Sequence, residues 1–99
     1  MSIIMHNVVN VVFAGLGGQG VLKASDILAE LVFEARLDVK KSEVHGMSQR
    51  GGSVSSDVRY GSKVASPMVP EGEADFLVVL DETQVSVNEM RLKKNGCLI

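Results

Sequence analysis

Cysteine occurs once in these 99 residues, at Cys97, and that scarcity excludes an internal disulfide. A lone thiol also cannot by itself ligate an iron–sulfur cluster or a structural zinc, which need about three to four ligands. Positive charge is in short supply: ten Lys and Arg stand against twelve Asp and Glu, a net charge of −2, so there is no basic footprint for nucleic acid. Long apolar runs are missing too, and none approaches the ~18 residues that cross a bilayer. The start, Met1-Ser2-Ile3-Ile4-Met5-His6, lacks the basic segment and apolar run of a secretory leader. No repeat and no low-complexity linker breaks the chain. Together these absences read as a soluble, cytoplasmic chain with neither a membrane nor a nucleic-acid partner.

What is present permits one domain. A hydrophobic content of 45% can build a core, though one near the small end for a doubly wound α/β fold. Val8 to Ala14 predicts a first strand, interrupted by Asn10. Gly18 to Ala35 predicts a helix, with Val21, Leu22, Ile27, Leu28, Leu31 and Val32 at helical spacing, ended by Arg36-Leu37-Asp38. Val39 to Val44 reads as a shorter, more polar strand, nearer a sheet edge or a binding surface. From Ser53 to Tyr60, Val54, Ser56, Val58 and Tyr60 alternate with Ser53, Ser55, Asp57 and Arg59, the period of a half-buried strand. After the Gly61-Ser62 turn and a loop from Met68 to Glu73, Phe76 to Leu80 predicts a fully buried strand. Glu82 to Lys93 then predicts a second helix ended by Asn95-Gly96. The alternation predicts an α/β fold with a mostly parallel sheet flanked by helices. Asn95 to Ile99 reads as a turn and the start of a new buried strand. The expectation is thus a single domain over 1–99, either the N-terminal part of a longer domain or one whose strand end another chain completes.

Two stretches carry chemistry. In the first, Gly15, Gly17 and Gly20 fall on G-x-G-x-x-G spacing directly after the first strand, with Gly18 and Gln19 between them. Glycine suits a tight turn, a close backbone approach to an anion and intimate helix–strand packing, and the following helix adds its positive end. The turn fits the phosphate of a nucleotide-like molecule, or merely a compact corner of an αβ unit.

The second stretch, Glu43-Val44-His45-Gly46-Met47-Ser48-Gln49-Arg50-Gly51-Gly52-Ser53, gathers an acid, an imidazole, neutral polar groups and a guanidinium among three glycines. Arg50 beside Gly51 and Gly52 suits an anionic group, because its planar fork grips phosphate or carboxylate while glycines let backbone approach. The other reading for Arg50 is a surface salt bridge to Glu43 or Asp57. His45 fits a proton donor, a neutral hydrogen-bond donor, or a packing residue. Ser48 and Gln49 either orient polar ligand atoms or satisfy the loop's own backbone. Lys40 and Lys41 add positive potential or form a solvated face, and the methionines read as packing. No Ser–His–acid arrangement follows from the order of residues.

Taken together and in this order, Gly15-Leu16-Gly17-Gly18-Gln19-Gly20-Val21 and His45-Gly46-Met47-Ser48-Gln49-Arg50-Gly51-Gly52-Ser53-Val54 resemble the gamma domain of the 2-oxoacid:ferredoxin oxidoreductases, most closely its indolepyruvate branch. The resemblance covers nearly the whole chain and implies a Rossmann-like domain. It implies part of an oxygen-sensitive enzyme that oxidatively decarboxylates a 2-oxoacid to an acyl-CoA and passes electrons to ferredoxin. By the same resemblance, thiamine diphosphate and iron–sulfur clusters belong to other domains or a partner subunit, so this chain is active only with that partner. Its own share would be to close over the partner's active site and bind coenzyme A. Gly15, Gly17, Gly18, Gln19 and Gly20 would cradle phosphate through backbone N–H groups, with Ser48, Gln49, Gly51 and Gly52 beside them, while Arg50 would stabilise an anionic substrate or coenzyme group and His45 would be a proton or hydrogen-bond donor near that anion. The family's gamma domain is longer than 99 residues. Two other classes stay open: an NAD(P)-binding domain, with Glu43 gripping the ribose, and a structural subunit that binds nothing small.

Overall fold

The structure, a computed structural model, describes residues 8–45 and 52–99. Among the described residues, five strands and two helices follow in the order β1 (Val9–Leu16), α1 (Val21–Glu34), β2 (Asp38–His45), β3 (Ser53–Gly61), β4 (Ala74–Val79), α2 (Val85–Asn88) and β5 (Leu92–Leu98). They form one sheet of order β2-β3-β1-β4-β5. β3 runs antiparallel to both β1 and β2, whereas β4 is parallel to β1 and β5 to β4. Four strands therefore share a direction, as the α/β pattern predicts, and β3 is the exception. Its orientation has a simple cause: only residues 46–52 join β2 to β3, too few for a crossover, which takes about a dozen. The position of β2 at the sheet edge agrees with its polar sequence.

The strands' alternation gives the sheet two unlike faces. Val11, Phe13 and Val58 pack under α1 through Val21, with Ala24, Leu28, Val54 and Tyr60 around them. Lys41, on the same face of β2, pairs with Asp26 of α1 and with Glu43. Burial pulls the Lys41 ammonium down, but the two carboxylates outweigh it and the net shift is upward. Lys41 is thus a strut between β2 and α1 rather than part of a solvated face. At its far end α1 closes with Arg36 at φ 66, where Arg36 N donates to Phe33 O and Leu37 N to Val32 O. That left-handed position suits glycine better than any side chain. Arg36→Gly is expected to stabilise the chain by about 0.5–1 kcal/mol, seen as a rise of a few degrees in the melting temperature.

On the opposite face Val12, Ala14 and Leu77 pack with Val69 and Ala74, and buried polar groups pin the long β3–β4 connection. Asn10 N donates to Asp75 and its side chain to Glu73 O. Arg59 donates to Asn10 Oδ1 and to the carbonyls of Ser66 and Met68. Asp57, 4% exposed, accepts from Val69 N at 3.0 Å and from Arg91 at 2.6 Å.

Three expectations need correction. The helix read from Glu82 to Lys93 is a 3-10 turn at Glu82–Gln84, the four residues of α2, and a second 3-10 turn at Glu89–Arg91. Val85, Val87 and Asn88 are weak helix formers, the Asn88 amide bonds back to Gln84 O, and Leu92 is already extended. The Asn95-Gly96 turn lies inside β5, at a register shift against β4, and a Cβ at Gly96 would meet Ala74 O at 2.8 Å. Residues 95–99 are therefore the end of a largely exposed strand rather than the start of a buried one. Nor is β4 fully buried: Phe76 is 38% exposed, as are Ile27 (51%) and Leu31 (60%) on α1.

Candidate functional site

From β1 the chain crosses through α1 to β2, on the face that Phe13 and Val58 share. From the neighbouring β4 it crosses the other way to β5. That second connection lies on the opposite face, where Gln84 accepts from Ser53 Oγ and Arg91 from the next turn reaches Asp57. Right-handed crossovers that leave two adjacent parallel strands in opposite directions open a crevice at the carboxyl ends of those strands, where open α/β sheets bind ligands. The glycine turn after β1 and Leu80-Asp81 after β4 form its two lips.

The glycines of the turn divide the work differently from the sequence reading. Gly15 is buried within β1, and a Cβ there would lie 2.8 Å from Val21 Cγ2 and 3.2 Å from Leu80 Cβ. Close packing of helix on strand is its reason. Gly17 gives its N–H to Gly52 O at 2.9 Å, and Gln19 gives its own to Leu16 O. Gly15, Gly17 and Gln19 are therefore not the donors that would cradle phosphate. Gly18 and Gly20 both stand at φ 89, Gly20 as the N-cap of α1. Among the described residues their N–H groups meet no acceptor, and Ala24 N makes the first intrahelical bond, to Gly20 O. The N–H groups of Val21, Leu22 and Lys23 are thus unsatisfied within the helix, as in any first turn. A cavity of about 220 Å³ opens here, lined by Leu16, Gly17, Gly18, Gly20, Lys23 and Val54. Its volume suits a phosphate-sized group better than a whole nucleotide, and Lys23, not among the candidates read from the sequence, adds a cation. A larger cavity of about 560 Å³ beside Asn10, Arg59 and Glu73 lies at the other end of β1.

Gln19 bridges the two lips. Its Oε1 accepts from Leu16 N at 2.7 Å, and its Nε2 donates to Asp81 Oδ2 at 3.0 Å. Asp81 Oδ1 accepts from the hydroxyl and the N–H of Thr83. The Thr83 hydroxyl, then its N–H, then Gln19 hold the Asp81 carboxyl below the usual range, so it is ionised at neutral pH. Asp81 escaped the sequence reading, although an Asp two residues before a Thr at the end of a strand is a capping signal.

The second motif meets the first at its ends. His45 is the last residue of β2 and pairs in register with Val54, which pairs in turn with Gly15. Gly52 is buried and receives the Gly17 N–H. Ser48, Gln49, Arg50 and Gly51 lie outside the described residues. The two carboxylates weighed as structural partners for Arg50 are engaged elsewhere, Glu43 with Lys41 and Asp57 with Arg91. Glu43 also sits two strands from β1, with β3 between them. That is a displacement of about 10 Å, which puts its carboxylate in the wrong place to grip a ribose whose phosphate rests on the glycine turn.

Comparison with known proteins agrees with this fold. The family model for pyruvate ferredoxin/flavodoxin oxidoreductase matches residues 10–99. The chain is 43% identical over 90 residues to the indolepyruvate oxidoreductase subunit IorB of Archaeoglobus fulgidus, covering 91% of this chain and 44% of that protein. It is similar to the crystal structure of the pyruvate oxidoreductase subunit PORC of Thermotoga maritima, with a TM-score of 0.75 and 27% identity over 92% of this chain and 48% of the other. The fold is also found in the 2-oxoglutarate:ferredoxin oxidoreductase of Magnetococcus marinus, solved with 2-oxoglutarate, coenzyme A and succinyl-CoA bound (TM-score 0.81, 20% identity, 96% of this chain and 16% of that one). The chain spans less than half the length of the curated IorB relative and of both solved chains. On the match over residues 10–99, the chain belongs to the pyruvate ferredoxin/flavodoxin oxidoreductase family.

Proposed function

We propose that this chain is part of the small subunit of a thiamine-dependent 2-oxoacid:ferredoxin oxidoreductase, with an indolepyruvate-type substrate, and that its share is to bind a phosphate of coenzyme A and help close the partner's active site. The observation that carries this is the Gly17 N–H to Gly52 O hydrogen bond, which joins the end of the second motif to the glycine turn at the switch-point crevice. The N–H groups of Gly18, Gly20 and the first turn of α1, which meet no acceptor among the described residues outside the helix, make with Lys23 beside them an anion site of the kind helix N-termini offer. The IorB identity favours an aryl pyruvate, and the coenzyme A bound in the Magnetococcus complex supports coenzyme A as the anion.

The thiamine diphosphate, the iron–sulfur clusters and the transfer to ferredoxin belong, in this reading, to the partner subunit. Cys97 is exposed on an edge strand, and among the described residues no three metal-ligating side chains converge. The cofactor supplies the decarboxylation chemistry. This chain's residues bind and orient: backbone N–H groups hold the phosphate, Arg50 meets a carboxylate or phosphate through its fork, and His45 stands at the mouth of the same loop. The exposed apolar side chains of Ile27, Leu31 and Phe76 give the partner a surface to cover.

Arg50→Lys keeps the charge and loses the bidentate geometry, so turnover of the assembled enzyme with 2-oxoacid and coenzyme A should fall by about 1–3 kcal/mol in kcat/KM. Its melting temperature should stay put. An unchanged kcat/KM with a lowered melting temperature would make Arg50 a structural residue and remove it from the site.

A further inference from the structure

We propose that Asp81 is a positioning residue for the glycine turn, acting through Gln19; this rests on reading that turn as the anion site. An amide side chain has an oxygen and a nitrogen of nearly the same shape, and only its partners decide which way it points. Leu16 N–H is a donor, so Gln19 ties down the turn only when its Oε1 faces that N–H, as it does at 2.7 Å. Asp81 enforces that choice, because an ionised carboxylate accepts and never donates, and its Oδ2 takes the Gln19 Nε2 at 3.0 Å. The other oxygen is occupied by Thr83 N at 3.0 Å and by the Thr83 hydroxyl. The hydrogen-bond network therefore converges on Asp81, with Thr83 donating from one side and, across the crevice between β1 and β4, Leu16 N–H donating to Gln19 and Gln19 to Asp81. It reaches the backbone just before Gly17 and Gly18.

The position is otherwise a poor one for a carboxylate. Placed at the lip of an anion site, its charge opposes the ligand, so electrostatics alone predicts that removing the charge would tighten binding. Positioning predicts the reverse, and the two accounts differ in sign.

Asp81→Asn separates them with little disturbance to the fold, because asparagine caps as well as aspartate and can keep Thr83 N on its side-chain oxygen. The new amide nitrogen then faces Gln19, whose own amide must turn its oxygen toward it and abandon Leu16. Coenzyme A is titrated into the full-length subunit assembled with its partner, and hydrogen exchange is followed over residues 16–20. For D81N the expected results are about fivefold weaker binding and faster exchange at Leu16. In the double variant Q19E/D81N a carboxylate at position 19 accepts from both Leu16 N and the amide introduced at position 81, at unchanged net charge, and both properties should return toward wild type. D81N binding as tightly as wild type or tighter, or a double variant as weak as D81N, would overturn the positioning role alone. A wild-type complex that does not bind coenzyme A would overturn the reading of the turn and this role with it.

Discussion

Asp57→Ala should lower the stability of the chain by about 2–4 kcal/mol, the largest single-residue loss expected here. The carboxylate is almost fully buried and joins two segments far apart in sequence: Val69 N on the β3–β4 connection and the Arg91 guanidinium just before β5. Truncation leaves a buried N–H without an acceptor and a mostly buried cation without its anion. The second penalty is discounted because the Arg91 side chain keeps 21% of its surface in water. Urea or thermal melts of the assembled subunit check it, and an unchanged melting profile would mean that packing around Val69 and Leu77 holds this face without the ion pair.

Gly15→Val should cost about as much for a different reason. Its Cβ would stand 2.8 Å from Val21 Cγ2 and 2.9 Å from Gln19 Oε1, and two further methyl groups would follow it into the junction of β1, α1 and Leu80. Overpacking of this kind costs about 1–3 kcal/mol, with the upper end expected here because one contact is the Cβ of Leu80, just past a neighbouring strand. Since the same insertion pushes on Gln19, coenzyme A affinity should fall along with the melting temperature. A variant as stable as wild type would show that α1 can slide away from β1 at little cost, and that the close packing assigned to Gly15 is wrong.

The contrast with Gly18 shows what the sequence could and could not reveal. The G-x-G-x-x-G spacing placed the turn, and the apolar periods placed β1, α1 and β3 to within a few residues of their observed limits. Which glycine does what was not legible, because packing, φ and hydrogen-bond supply depend on neighbours brought in from elsewhere: Leu80 against Gly15, Gly52 against Gly17. Nor does local pattern carry strand order. β3 alternates as a half-buried strand should, yet nothing in Ser53–Tyr60 says that it wedges between β1 and β2 and carries Glu43 away from the turn. The lost second helix is a case of local signals in conflict, its Glu82 to Lys93 window polar enough for a helix but built on Val85, Val87 and Asn88. Gln19 and Asp81 lie 62 residues apart, so their bridge belongs to the fold alone.

Whether the N–H groups around Gly18 receive a phosphate can be tested at Gly18 itself without disturbing the fold. Nothing lies within 4 Å of a Cβ at this position, and its φ of 89 is in the left-handed region that Asn and Asp tolerate better than other side chains. Gly18→Asn and Gly18→Asp therefore place side chains of nearly equal shape at the mouth of the cavity, one neutral and one negative. Coenzyme A is titrated into the wild-type, Asn and Asp complexes at fixed ionic strength. The Asn variant should bind within about threefold of wild type, and the Asp variant at least about tenfold more weakly than Asn. Equal affinity of the Asp and Asn variants would mean that no phosphate rests here, because a phosphate seated on this turn cannot ignore a carboxylate placed beside it.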